Sequence, residues 1–167
     1  YFQKPQLPEQ ELEADVPTSL RKIFHGLSAD GIADFRVGPD DTGFLQSMPI
    51  PEQQPRWMRE EDLAYYVERF QRSGFTGPIN WYRAMDLSWQ ESRDDESWQL
   101  TMPVLFIGGL QDPVLMFNQK ALQRMPDYVP DLRTVLQDQC GHWIQMEQAA
   151  EVNREILAFL EDINGQG

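Results

Sequence analysis

Residues 103–109 read "PVLFIGG", a short and wholly apolar run that starts at a proline and ends in two glycines. Such a run reads as a strand buried on both faces, as in a parallel sheet. The segments that follow keep the alternation. "LMFNQKALQRM" (115–125) reads as a helix, "LRTVL" (132–136) as a second strand, and "EQAAEVNREILAFLEDI" (147–163) as a closing helix. In that last segment Val152, Ile156, Phe159, Leu160 and Ile163 recur at helical spacing. Strand–helix–strand–helix in these lengths is a piece of parallel α/β sheet. Two strands do not make a stable sheet alone, so further strands are expected to pair with them.

Residues 1–95 have a different texture, with helices and loops only. Leu12, Val16, Leu20, Ile23 and Phe24 follow a helical period across residues 9–24, and Pro17 restarts the helix. Gly26 suits a left-handed position closing that helix, which makes His25 a cation in its last turn. Residues 26–58, with Pro49, Pro51 and Pro55, read as a long irregular connection. "REEDLAYYVERFQRSGF" is an amphipathic helix with acidic residues at its start, an apolar stripe of Leu63, Tyr66, Val67 and Phe70, and a stop at Gly74. "GPINWYRAMDLSWQ" reads as one more helix, opened by Gly77-Pro78.

The chain has 167 residues, 41% of them apolar, enough for about one domain with a buried core. Fourteen basic against 27 acidic residues give a formal net charge of −13, which disfavours nucleic acid and anionic lipid as partners. The single cysteine, Cys140, rules out an intrachain disulfide and fits a reducing, cytoplasmic setting. It reads as a small buried residue rather than a reactive thiol. No apolar run is long enough to span a bilayer. A chain opening on Tyr1 without Met is expected to be a fragment of a longer protein.

Ligands of open parallel sheets sit beyond the carboxyl ends of the strands. Asp112, in "GGLQDPV", and His142, in "DQCGHW", fall in the two loops that leave those ends. Adjacent strands would bring the loops together, letting the carboxylate fix the imidazole tautomer and stabilise the imidazolium of a general base. Asp112 suits the N-cap of a helix beginning at Pro113 equally well. Two distant histidines and one cysteine offer no metal spacing, and "GGLQDP" lacks the pattern and lysine of a phosphate loop, so no cofactor is expected. A base needs a target, yet no strand–nucleophile–helix elbow is present: "GPDDTG" (38–43) has the wrong spacing and reads as a turn.

"SGFTGPINWYRAM", "PVLFIGGLQDPVL" and "DQCGHWIQMEQAAEVNREILAFL", in that order, resemble soluble epoxide hydrolases of the α/β-hydrolase fold. "YFQKP" resembles the segment leading into that family's helical cap. Thirty residues separate Tyr82 from Asp112, and thirty separate Asp112 from His142, as in the family. The resemblance runs over essentially the whole chain and implies the C-terminal half of a hydrolase. Residues 1–95 would be most of an all-helical cap, and residues 96–167 the C-terminal part of the core, parallel strands with flanking helices. It implies an aspartate that attacks an epoxide carbon to form an ester, a cap tyrosine, Tyr82, that donates to the epoxide oxygen, and an Asp112–His142 pair that activates water to release a vicinal diol. Trp143 and Val114 would line the pocket.

The nucleophile and a second cap tyrosine would precede residue 1, and Tyr1 is not that tyrosine. The expected partners are therefore a small-molecule epoxide and the N-terminal half of the same protein, without which this chain would be inactive. Tyr82 also lies on an aromatic-rich helix where it can simply pack. A dehalogenase of the same fold would use the same ester and base, and a non-catalytic member would keep only the fold.

Overall fold

The computed structural model describes residues 1–36, 43–93 and 99–165. Residues 38–42 of the expected "GPDDTG" turn, and the expected boundary at 95/96, lie outside the described residues. The chain divides into two compact units, Tyr1–Gly26 with Ala33–Asp95, and Leu27–Ile32 with Glu96–Gly167. No helix among the described residues is long and apolar enough to cross a membrane.

In the first unit the described elements are helical. The amphipathic segment at the start is two helices, α1 (Leu7–Ala14) and α2 (Val16–Gly26). The backbone breaks at Asp15, whose Oδ1 accepts the Thr18 N–H at 3.2 Å. Gly26 is the last residue of α2 and not a left-handed cap. A Cβ there would lie 3.0 Å from the Met48 side chain, so this glycine permits close packing instead. Among the described residues of the connection, short 3₁₀ turns lie at Ile32–Asp34 and Leu45–Ser47. α3 (Glu60–Ser73) ends at Gly74, which does adopt a positive φ of 67°. The expected helix after it is α4 (Thr76–Arg83) and α5 (Met85–Ser92), parted at Ala84.

Leu12, Leu20, Met48, Leu63, Phe75 and Ile79 form the core of this unit. α1 ties it together through three glutamates. Glu9 pairs with Arg83 at 2.6 Å, Glu11 accepts the N–H groups of Phe44 and Leu45 and the Tyr1 hydroxyl, and Glu13 accepts the Phe75 N–H at 2.8 Å.

In the second unit β1 (Val104–Gly109) and α6 (Pro113–Phe117) are followed by α7 (Gln119–Tyr128). The helix expected over 115–125 is thus broken at Asn118, whose Nδ2 folds back onto the Val114 carbonyl at 2.8 Å. β2 (Leu132–Gln137) runs parallel to β1, pairing Val104 with Leu132 through to Gly109 with Gln137. α8 (Ile144–Glu147) and α9 (Ala149–Gly165) close the chain, separated at Gln148. Arg133 of β2 reaches Glu155 and Asp162 of α9 at 2.9 and 3.1 Å. Val152 of α9 is buried, whereas Ile156, Leu157 and Leu160 are exposed.

Three stretches of backbone are layered at the carboxyl end of the sheet with no side chain between them. A Cβ on Gly109 would stand 2.3 Å from the Cys140 carbonyl oxygen, and one on Gly141 would stand 2.6 Å from backbone atoms of Leu27, Ser28 and Ala29. Backbone cannot yield as a side chain does. Gly109→Ala is expected to cost roughly 1–3 kcal/mol as overpacking. Urea unfolding should show a lowered midpoint with an unchanged slope.

Candidate active site

β1 and β2 deliver their loops to one edge of the sheet, and the loops are joined by hydrogen bonds. The Gln111 N–H donates to the Cys140 carbonyl at 2.9 Å, and the Leu110 N–H donates to the Gln137 carbonyl at 2.9 Å. Asp112 and His142 meet across this junction. The imidazole Nδ1 lies 3.2 Å from Oδ1 and 3.1 Å from Oδ2 of the carboxylate. Donation from Nδ1 to Asp112 leaves Nε2 as the nitrogen able to take a proton.

Asp112 makes both of the contacts that its two readings call for. Its Oδ1 accepts the Val114 N–H at 2.8 Å, capping α6, while the same carboxylate receives His142. The Asp112 side chain is 13% exposed and that of His142 is 36% exposed. The hydrogen bond that His142 donates to Asp112 raises the His142 pKa above its ordinary value. Burial opposes that rise, and the charges of Asp112 and Glu147 add to it. Cys140, two residues before His142, is fully buried, and burial together with the charges of Glu147 and Asp112 pushes its thiol up to about 11. It stays a neutral thiol near pH 7 and is no nucleophile.

Trp143 sets its ring edge-on to that of His142, with centroids 5.0 Å apart and planes at 78°. Val114 contributes the N–H that Asp112 caps, and its side chain is exposed. Tyr82 belongs to the first unit, on α4. Its ring stacks on Phe2 with centroids 4.2 Å apart and planes at 10°, and its carbonyl accepts from Gln3 Nε2. Arg83, next along, donates to the Phe2 and Lys4 carbonyls and pairs with Glu9. The segment that stacks on the tyrosine is thereby fixed in place, with Tyr82 43% exposed. No group of His, Cys, Asp and Glu among the described residues could hold a metal ion.

Glu147 escaped the sequence reading. Its carboxylate accepts N–H groups from Ala29, Gly141 and Trp143. The available signal was local: an acidic residue closing the turn that follows the Gly-His loop, four positions after Trp143.

Parallel strands with an aspartate–histidine pair at their carboxyl edge, in a chain that also carries a helical unit, match the cap and C-terminal α/β-hydrolase part of solved hydrolases. The chain's homologues within that class are epoxide hydrolases. It is 37% identical over 164 residues to epoxide hydrolase A of Mycobacterium tuberculosis, covering 96% of this chain and 50% of that protein. To bifunctional epoxide hydrolase 2 of Sus scrofa it is 32% identical over 161 residues, covering 96% of this chain and 28% of that protein. The crystal structure of epoxide hydrolase A from Mycobacterium thermoresistibile superposes with a TM-score of 0.87 at 38% identity, over 96% of this chain and 50% of that one. An epoxide hydrolase from an endophytic Streptomyces gives a TM-score of 0.89 at 34% identity, over 99% and 51%. The chain therefore spans about half, or less, of the length of the relatives it matches. No protein-family model matches it.

Proposed function

We propose that this chain is part of an epoxide hydrolase that opens an epoxide to a vicinal diol through an aspartyl ester. The observation that carries the reading is the Asp112–His142 pair, with Nδ1 at 3.1 and 3.2 Å from the two carboxylate oxygens, in a chain whose homologues are epoxide hydrolases. In the first step a carboxylate oxygen bonds to an epoxide carbon, the ring C–O bond breaks, and the alkoxide takes a proton from the phenol that donates to it, which water then reprotonates. The carboxylate comes from an aspartate in a preceding, N-terminal half of the same protein. Tyr82, by its place in the "NWYR" block, supplies the hydrogen bond to the oxygen, since a phenol is a neutral donor near pH 7. In the second step His142 Nε2 removes a proton from water, the hydroxide attacks the ester carbonyl, the acyl C–O bond breaks to restore the aspartate, and the imidazolium returns its proton to the departing diol oxygen. Asp112 holds the ring and stabilises the imidazolium. Trp143 and Val114 line the pocket near the base.

Hydrolysis of styrene oxide and of a haloalkane by the full-length protein tests this reading. Diol without halide release is expected, and halide release without diol would instead indicate a dehalogenase. The same assay carries a pH signature. Only neutral imidazole accepts a proton, so the rate of ester hydrolysis should rise with pH through an inflection above about 6.5, the ordinary histidine value. The direction follows from the raised His142 pKa. Stability has the opposite sense: the contribution of the His142–Asp112 ion pair is full below the unfolded histidine's pKa and is lost as pH rises through the raised one.

A further inference from the structure

We propose that Glu147 is a positioning residue for His142, holding the loop that carries the base by gathering backbone N–H groups on both sides of it. Three consecutive amides of this loop are engaged. Gly141 N–H donates to Glu147 Oε2 at 3.0 Å, His142 N–H to the Leu27 carbonyl at 2.9 Å, and Trp143 N–H to Glu147 Oε1 at 3.0 Å. Oε2 also accepts the Ala29 N–H at 2.9 Å, so one carboxylate joins the loop to the same Leu27–Ile32 segment that receives the histidine's own amide. Hydrogen bonds to an ionised acceptor are about twice as strong as neutral ones. Gly141 has no room for a side chain against Leu27–Ala29, so the loop cannot slide toward that segment.

The placement sets the base in two respects. The backbone on either side of His142 is fixed, so the ring pivots only about its own side-chain torsions, and Asp112 then fixes those. The carboxylate also adds a second negative charge beside the imidazole. Asp112 and Glu147 are the charged groups that act on it, and both favour the imidazolium. A carboxylate that merely finished a short helix would not bracket the base in this way.

This inference rests on reading His142 as the general base, and its test separates the two. In the full-length protein, Glu147→Gln keeps the size and removes the charge and one accepting oxygen. The His142 Cε1–H titration, followed by NMR, is expected to move to lower pH, and the pH profile of turnover to move with it. kcat should fall roughly 10–100-fold with KM changed far less, the scale of a small misplacement of a reacting group. Glu147→Asp, which keeps the charge, should restore the titration toward the wild-type midpoint. An unchanged titration and unchanged kcat in Glu147→Gln, even with a lowered melting temperature, would overturn the proposal. If the wild-type protein turns over no epoxide, the proposed function fails while the titration still decides the role of Glu147. Should Glu147→Gln not fold, amide exchange in the wild-type protein decides: joint protection of Ala29, Gly141 and Trp143 supports the clamp, and exchange at exposed-loop rates refutes it.

Discussion

His142→Gln in the full-length protein is expected to abolish diol release while leaving ester formation intact. Attack on the epoxide needs the nucleophile and a donor to the oxygen, and neither is His142. Hydrolysis of the ester needs a base to take the proton from water, and glutamine offers none. General bases of this kind contribute about 10²–10⁴-fold to rate. Because only the second step is lost, the variant should bind one equivalent of epoxide covalently, and mass spectrometry of the intact protein should show the added mass of the substrate. A variant that turns over normally, or that stops without any adduct, refutes the assigned step.

Asp112 gives the second large effect, and its dual role makes two substitutions informative. Asp112→Asn keeps an oxygen for the Val114 N–H but removes the charge that holds the imidazolium, and the amide can turn an N–H toward Nδ1. Turnover is expected to fall by about 10⁴, as when a triad aspartate is replaced and the histidine takes the wrong tautomer. At a pH where His142 is neutral, stability should change little. Asp112→Ala removes the N-cap as well, adding a loss of about 1 kcal/mol. Thermal unfolding of the two variants, set beside their turnover, separates the cap from the catalytic role. If Asn and Ala lose the same stability, the cap contributes nothing.

The meeting of Asp112 and His142 was legible in the sequence because a wholly apolar run is easy to read as a parallel strand and the loops after parallel strands fall at a known edge. That the carboxylate serves both the cap and the histidine was not legible, since each use predicts the same residue. Helix breaks at Ala84 and Asn118 carry no proline or glycine at the break itself, so composition favoured continuous helices. Gly26 was read as a left-handed cap on local grounds, whereas its small size answers to Met48, a contact set by tertiary packing. The periodic face of α9 was read correctly as a face, but periodicity does not say what covers it. Val152 is 8% exposed, whereas Ile156 is 40% and Leu160 47% exposed. The clamp by Glu147 reaches Ala29, more than a hundred residues away in sequence, and no local pattern announces such a partner.

The layered backbone at Gly109, Cys140–Gly141 and Leu27–Ala29 limits how this protein can be altered. A binding site is usually broadened by varying the residues nearest the chemistry. Here Gly109 and Gly141, packed at the His142 loop, have no space for even a methyl group, and Cys140 is fully buried. Variation in substrate range, by selection or by design, is therefore displaced from this seam to side chains that have room to change, among which Val114 is exposed. A library that randomised positions 109, 140 and 141 would mainly sample unfolded protein.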